Sequence, residues 1–252
     1  MAIYQSFAAI YDQLFDAEMY DQWVHFSEKR LSPKRPVVLD LAGGAGRFAT
    51  LMAVRGWQMT DLDQSDEMLA LASEHAAEKG VNVSLINGDM TALTGVGMFD
   101  AVTCYADSLN YLPTPVDVMQ TLHQVYQHLN DDGTFLFDVI TPYQTDQVYP
   151  GFMFNEATDD DRAFLMWQSF ADDDVEYAVI HQLDIFDQMA DGHYDRHSET
   201  HFERAYPLEW WQQELTAAGF TGIQVTADFG TTEPKEKTTR WFFECRRGGQ
   251  DK

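Results

Sequence analysis

The sequence predicts an α/β fold: a mostly parallel sheet with helices on both faces, carrying an inserted antiparallel β segment. Three observations predict it. Apolar, β-branched runs alternate with helix-period segments through the first half of the chain. A glycine-rich turn, "VVLDLAGGAGRF" (Val37 to Phe48), joins the first such run to a helix-like segment. From Tyr143 to Tyr206 the helical period gives way to strand-like runs separated by turn-rich pieces.

Tyr4 to Arg30 repeats apolar residues at Phe7, Ile10, Tyr11, Leu14 and Phe15, the spacing of one or two amphipathic helices. "SPKRP" breaks this and delivers the chain into strand Val37–Leu41. "GRFATLMAVRG" is a helix closed by Gly56, and "WQMTDLD" a strand. "SDEMLALASEHAAEKG" is a helix with Ser65 as N-cap, acids in its first turn and Gly80 as its stop. "VSLINGD" and "FDAVTCY" are the third and fourth strands, "PVDVMQTLHQVYQHLN" a helix and "GTFLFDVI" the fifth strand. Strands separated by helices imply parallel pairing through right-handed crossovers. In the insertion, "AFLMWQSF", "VEYAVIHQLDIFDQ" and "HYDRHSETHFERAY" read as antiparallel strands. "PLEWWQQELTAAGF" returns to helix, and "GIQVTADF" and "TRWFFECRR" close the chain as strands.

Composition narrows the function classes. There are 16 basic and 41 acidic residues, a formal net charge of −25. Such a field repels phosphate backbones and anionic membranes, so nucleic acid is a poor partner. The bland source of the charge is solubility or a salty cytosol. No window approaches a membrane-spanning length, and "MAIYQSFAAIYDQLFD" lacks a basic leader region, so a cytoplasmic protein is expected. Cys104 and Cys245 sit in apolar runs and read as buried free thiols. No metal is expected: no His/Cys/Asp cluster has ligand spacing, and the runs Asp159–Asp161 and Asp172–Asp174 read as solvated turns.

The glycine turn admits two ligands. Gly44-Ala45-Gly46-Arg47-Phe48-Ala49 fits the dinucleotide pattern G-x-G-x-x-G/A, and Asp63 follows Gly44 by 19 residues, where a ribose-binding acid belongs. Asp40, however, precedes the glycines. A carboxylate repels a pyrophosphate and attracts an ammonium. Asp89 in "INGDM" can accept from an adenine amino group, with Met90 as apolar surface against the ring. Each acid also has a plain alternative, Asp40 as a helix cap and Asp63 and Asp89 as turn residues. Together they mark the ends of successive strands, the ligand-binding edge of an open α/β sheet.

These pieces resemble a class I S-adenosylmethionine-dependent methyltransferase of the branch acting on small molecules. The resemblance rests on "VVLDLAGGAGRFA", "TDLDQSDEML", "NGDM", "FDAVTCYADSLNYL" and "LTAAGFTGIQV", with "YQSFAAIYDQLF" at the start. It implies a seven-stranded Rossmann-like sheet whose last strand is antiparallel between its neighbours. It implies a binding domain over 1–142 and 207–252, with a helical cap over 1–32, and a β lid over 143–206. It implies S-adenosyl-L-methionine as cofactor, held by Tyr4, Asp40, Ala42, Gly43, Gly44, Gly46, Asp63, Gln64, Met68, Asp89, Met90 and Tyr105. Two departures stand out: Ala42 replaces the first glycine of the loop, and Asp61 occupies a position that is often small. The second leaves open whether Asp61 or Asp63 holds the ribose, with strand alternation favouring Asp63.

Methyl transfer from a sulfonium is an in-line displacement, so the protein must align the reactants and exclude water. A base is needed only for a protonated nucleophile. Tyr11, Asp107 and Arg204 are the expected catalytic residues, with Asn110, His181 and His201 as further candidates. The expected acceptor is the nitrogen or oxygen of a small molecule, an amine slightly preferred. The aromatics Phe152, Phe154, Trp167 and Phe170 suit a pocket wall or a dimer surface, so a monomer or homodimer is expected. The rivals are an NAD(P)-dependent oxidoreductase, a non-catalytic S-adenosylmethionine-binding module and a tRNA methyltransferase.

Overall fold

A computed structural model describes residues 8, 12, 17–31, 36–158 and 162–248. Tyr4, Tyr11 and Asp159–Asp161 lie outside the described residues.

The chain runs α1 (Ala17–Arg30), β1 (Val37–Leu41), α2 (Arg47–Val54), β2 (Gln58–Asp63), α3 (Asp66–Lys79), β3 (Val83–Asn87) and β4 (Phe99–Cys104). Then follow α4 (Pro115–His128), β5 (Leu129–Ile140), β6 (Met153–Ala157), β7 (Ala163–Ala171), β8 (Ala178–Gln188), β9 (Tyr194–Arg204), α5 (Leu208–Ala218), β10 (Phe220–Thr226) and β11 (Arg240–Arg247). Local chemistry sets the ends. Ser65 caps α3 by accepting from the Met68 N–H, and Gly80 closes it in a left-handed conformation. Thr114 and Asp117 form a reciprocal capping box on α4, with Pro115 in its first turn.

The main sheet has seven strands in the order β10-β11-β5-β4-β1-β2-β3. β1 to β5 pair in parallel, while β11 runs antiparallel between β5 and β10. Alternation along the strands serves two cores. Leu39, Leu41 and Leu62 face Val118, Leu122 and Val125 of α4 and Trp211 and Leu215 of α5. Val38 and Met59 face the other way, onto Trp23 and Phe26 of α1 and Phe48 and Met52 of α2. Asp40, Asp61 and Asp63 share this second face, beneath the glycine turn. Cys104 and Cys245 are buried free thiols.

β6 to β9 form a separate four-stranded antiparallel sheet in sequential order. Ile140 at the end of β5 packs with Tyr149, Val179 and Ala205, which ties the second sheet to the end of β5. β6 escapes the sequence reading because it is an edge strand with almost no buried residue, so no alternation marks it. A single π-helical turn, Gln144–Val148, follows β5, where the sequence shows little helical period.

Candidate active site

Two adjoining cavities open at the C-terminal ends of β1, β2 and β4. The larger measures about 600 Å³ and the smaller about 410 Å³. Ala42, Asp63, Gln64, Met90, Ser108 and Tyr111 line both.

The glycine turn lines the larger cavity and reaches the smaller one through Ala42. It passes through left-handed conformations at Ala42 (φ 56°), Gly44 (φ 59°) and Gly46 (φ 65°). The absent side chains have specific uses. A Cβ on Gly43 would lie 2.3 Å from Asp61 Oδ1, and one on Gly46 would lie 2.6 Å from the Ala72 Cβ. These contacts let the turn press onto β2 and let α2 approach α3. A Cβ on Gly44 would meet nothing within 4 Å.

Asp63 ends β2 with its carboxylate already positioned. Oδ2 accepts from the Gly44 N–H and Oδ1 from the Ser65 N–H, each at 2.9 Å. Burial raises its pKa, against these backbone donors, which lower it. Asp61 is fully buried, lines neither cavity, and neither carboxyl oxygen has a hydrogen-bond partner. Burial, reinforced by the charges of Asp40 and Asp63, pushes its pKa up to about 9. Geometry therefore turns Asp63, not Asp61, towards the cavities. Asp40 lines the larger cavity and accepts at 2.8 Å from the Thr103 hydroxyl, and burial pushes it up to about 7.

Gly43, Gly44, Gln64 and Met68 also line the larger cavity, and Asp89 lines the smaller one beside Met90. One oxygen of Asp89 is engaged by the Thr91 N–H and hydroxyl. Tyr105 presents its ring, not its hydroxyl. The hydroxyl shares a 2.6 Å hydrogen bond with Ser27, and the ring stacks on Trp23 at 5.8 Å and meets the Phe48 edge at 5.0 Å.

Several expected acceptor-side residues are used otherwise. Asp107 does not line either cavity. It takes a left-handed conformation (φ 52°), and its Oδ1 lies 2.7 Å from the Arg240 guanidinium, which also bonds Asp138 at 2.6 Å. The carboxylate expected to act as base is thus paired with a cation, while its chain neighbours Ala106 and Ser108 line the larger cavity. The Arg204 guanidinium lies over the Tyr206 ring at 5.1 Å, and the residue lines neither cavity. Asn110 is structural, donating to the Arg204 carbonyl and accepting from the Ile140 N–H. His181 is buried; its Nδ1 accepts from Trp167 and pairs with Ser169, and its Nε2 lies 3.3 Å from Glu203. Phe152, Phe154, Trp167 and Phe170 line neither cavity. Phe152 packs on Trp167, while Phe154 and Phe170 are exposed.

His201 does line the larger cavity, with its Nε2 2.8 Å from Glu199 and its ring against Tyr111. Glu199, Tyr20, Trp23, Phe48 and Asp12 are lining residues that the sequence reading missed. Asp12 accepts both Nε and Nη2 of Arg47, at 2.5 and 2.6 Å, and lies 3.2 Å from His75. This fastens Asp12 to the start of α2 and to α3. No local motif marks these residues, because they converge from four separate elements.

A family described as "Methyltransferase domain" matches residues 38–133, the stretch from β1 to the start of β5. Over the whole length the chain is 39% identical to YqeM of Bacillus subtilis (strain 168), covering 97% of each; that name assigns a methyltransferase provisionally and gives no substrate. The crystal structure of an S-adenosylmethionine-dependent methyltransferase from Clostridium acetobutylicum ATCC 824 superposes with a TM-score of 0.82 at 28% identity, over 98% of this chain and 99% of that one. The sugar N-methyltransferase KedS8 from Streptoalloteichus sp ATCC 53650 shares the fold with a TM-score of 0.74 at 19% identity, over 98% and 93%. With its strand order, glycine turn and full-length relatives, the chain belongs to the class I S-adenosylmethionine-dependent methyltransferases.

Proposed function

We propose that this enzyme methylates a nitrogen of a small amine. The single observation that carries this reading is the lining of the larger cavity. Tyr20, Trp23, Phe48, Tyr105 and Tyr111 form its aromatic walls, Glu67 and Glu199 supply carboxyls besides Asp40 and Asp63 at the glycine turn and the Arg47-paired Asp12, and no Lys or Arg lines it among the described residues. Aromatic faces and carboxylates attract cations and weakly polar amines and repel phosphorylated or carboxylated acceptors. The same acidity disfavours tRNA.

The glycine turn suits S-adenosylmethionine as cofactor. Asp63 is held with two backbone donors behind it, which fits it to accept from ribose hydroxyls. Asp40 offers a carboxyl to an ammonium, and Met90 with Leu62 and Leu112 offers apolar surface for an adenine in the smaller cavity. The bound cofactor supplies a methyl group already activated by positive sulfur. The protein's own tasks are alignment and dryness: the Trp23–Tyr105–Phe48 stack walls the reaction side, and β9 closes it with Glu199 and His201. We assign proton removal to His201. Glu199 orients its imidazole and stabilises the imidazolium formed when it takes the proton of the amine. The second sheet thereby serves as lid and substrate wall over 143–206. A hydroxyl acceptor is the second reading, because the same imidazole suits an O–H.

The test is a screen of small amines, small hydroxy compounds and bulk tRNA with methyl-labelled S-adenosylmethionine. Label is expected in amines above hydroxy compounds. Label in tRNA alone would sink the small-molecule reading.

A further inference from the structure

Asp40 and Asp61 are register partners on adjacent parallel strands and point to the same face of the sheet. A Cβ built on Gly43 would lie 2.3 Å from Asp61 Oδ1 and 2.8 Å from Asp40 Oδ2, so the two carboxyls converge under one backbone position. Asp40 has the Thr103 hydroxyl as partner, whereas both Asp61 oxygens are fully buried with none. Two buried carboxyls side by side do not both ionise readily without a cation.

The surroundings supply little. Asp63 adds negative charge from β2. Cys104, Tyr105 and Tyr20, which feel the charge of Asp40 from β4, the following loop and α1, are held neutral by burial. Arg47 on α2 is occupied by Asp12, which also carries His75 of α3. Cofactor and product both offer the ammonium that Asp40 can meet, and only the cofactor adds a second positive charge. S-adenosylmethionine carries a sulfonium, and its product, S-adenosylhomocysteine, has lost that charge.

We infer that Asp61 is a specificity-determining residue for the cofactor's charge state: the Asp40–Asp61 pair holds a proton in the free enzyme, releases it to solvent when the sulfonium cofactor binds, and keeps it when the neutral product binds. Asp61 acts from beneath the glycine turn, through space and through Asp40, without touching the ligand. The preference for cofactor over product therefore increases with pH, as the pair becomes ionised before binding. One unit charge at about 10 Å and an effective dielectric of about 20 is worth on the order of tenfold in that preference. Burial holds both members above the ordinary carboxylate range, Asp40 up to about 7 and Asp61 up to about 9, which puts the change around neutral pH.

The inference rests on the glycine turn being the cofactor seat. The experiment is titration calorimetry of S-adenosylmethionine and S-adenosylhomocysteine in two buffers of different ionisation enthalpy, near neutral pH, with the wild type, Asp61→Asn and Asp63→Ala. The wild type is expected to release more protons with S-adenosylmethionine, by roughly half a proton or more. In Asp61→Asn the two ligands should release equal numbers, and the pH dependence of the affinity ratio should flatten. Asp61→Ser carries the same comparison if Asn does not fold. Equal release by the wild type, or an excess that persists without Asp61, overturns the inference. Unchanged affinity in Asp63→Ala would instead overturn the seat, so the two failures are distinguishable.

Discussion

Replacing Asp63 by Ala removes the one carboxylate that both lines the two cavities and braces the glycine turn. Two effects add. The ribose loses its charged acceptor. Each hydrogen bond to a charged group contributes about 1.5–3 kcal/mol, and one part-exposed carboxylate bonding two hydroxyls is worth about 2–4 kcal/mol in binding. That converts to a loss of about thirtyfold to a thousandfold in affinity for S-adenosylmethionine. The Gly44 and Ser65 N–H groups also lose their acceptor, at a cost of about 1–2 kcal/mol in stability, reduced by the access of water to this edge. Asp63→Asn keeps an acceptor for one N–H and should fall near the milder end of both ranges. Calorimetry measures the first effect and a denaturant melt the second. Unchanged affinity in a folded Asp63→Ala protein would refute the reasoning, because no other carboxylate at the end of β2 faces a cavity.

Three further outcomes are expected. Ala42 holds a left-handed conformation that costs a Cβ-bearing residue, so Ala42→Gly should raise stability by about 1 kcal/mol; a lower urea midpoint would contradict this. His201→Ala should leave cofactor affinity nearly unchanged and slow transfer to an amine by about 10² to 10⁴, with partial rescue by added imidazole; full activity would remove His201 from the chemistry. Asp40 and Asp61 keep folded pKa values of about 7 and about 9, above the unfolded value near 4. The folded protein therefore holds protons that the unfolded chain releases; this contribution to stability is complete below about pH 4 and is lost as pH rises through 7 and 9. Thermal melts from pH 5 to pH 9 should show a decline in the ligand-free wild type that Asp61→Asn flattens, and equal slopes would count against it.

The main sheet was legible because its signals are local. β1 to β5 are apolar runs bounded by turns, Ser65, Gly80 and Pro115 punctuate the helices, and Gly44 and Gly46 must adopt positive φ. Three cavity-lining positions were legible for the same reason: Asp40 and Asp63 sit within one residue of a strand end, and Met90 follows one by three residues. The acceptor side was not. Asp107 follows β4, two residues after Tyr105, but its partner Arg240 is far along the chain, and only the fold brings them together. Glu199 and His201 carried no motif; their importance comes from β9 crossing the cavity mouth. Asp61 was visible as a misplaced charge, but its lack of any partner follows from the packing of Gly43 and Gly46 onto it.

The most direct test of the account is a crystal structure with S-adenosylhomocysteine bound. The account predicts ribose hydroxyls on Asp63, adenine beside Met90 in the smaller cavity, and the sulfur opening into the larger cavity between Tyr105 and His201. A ribose remote from Asp63, or a sulfur directed away from the aromatic walls, would contradict it.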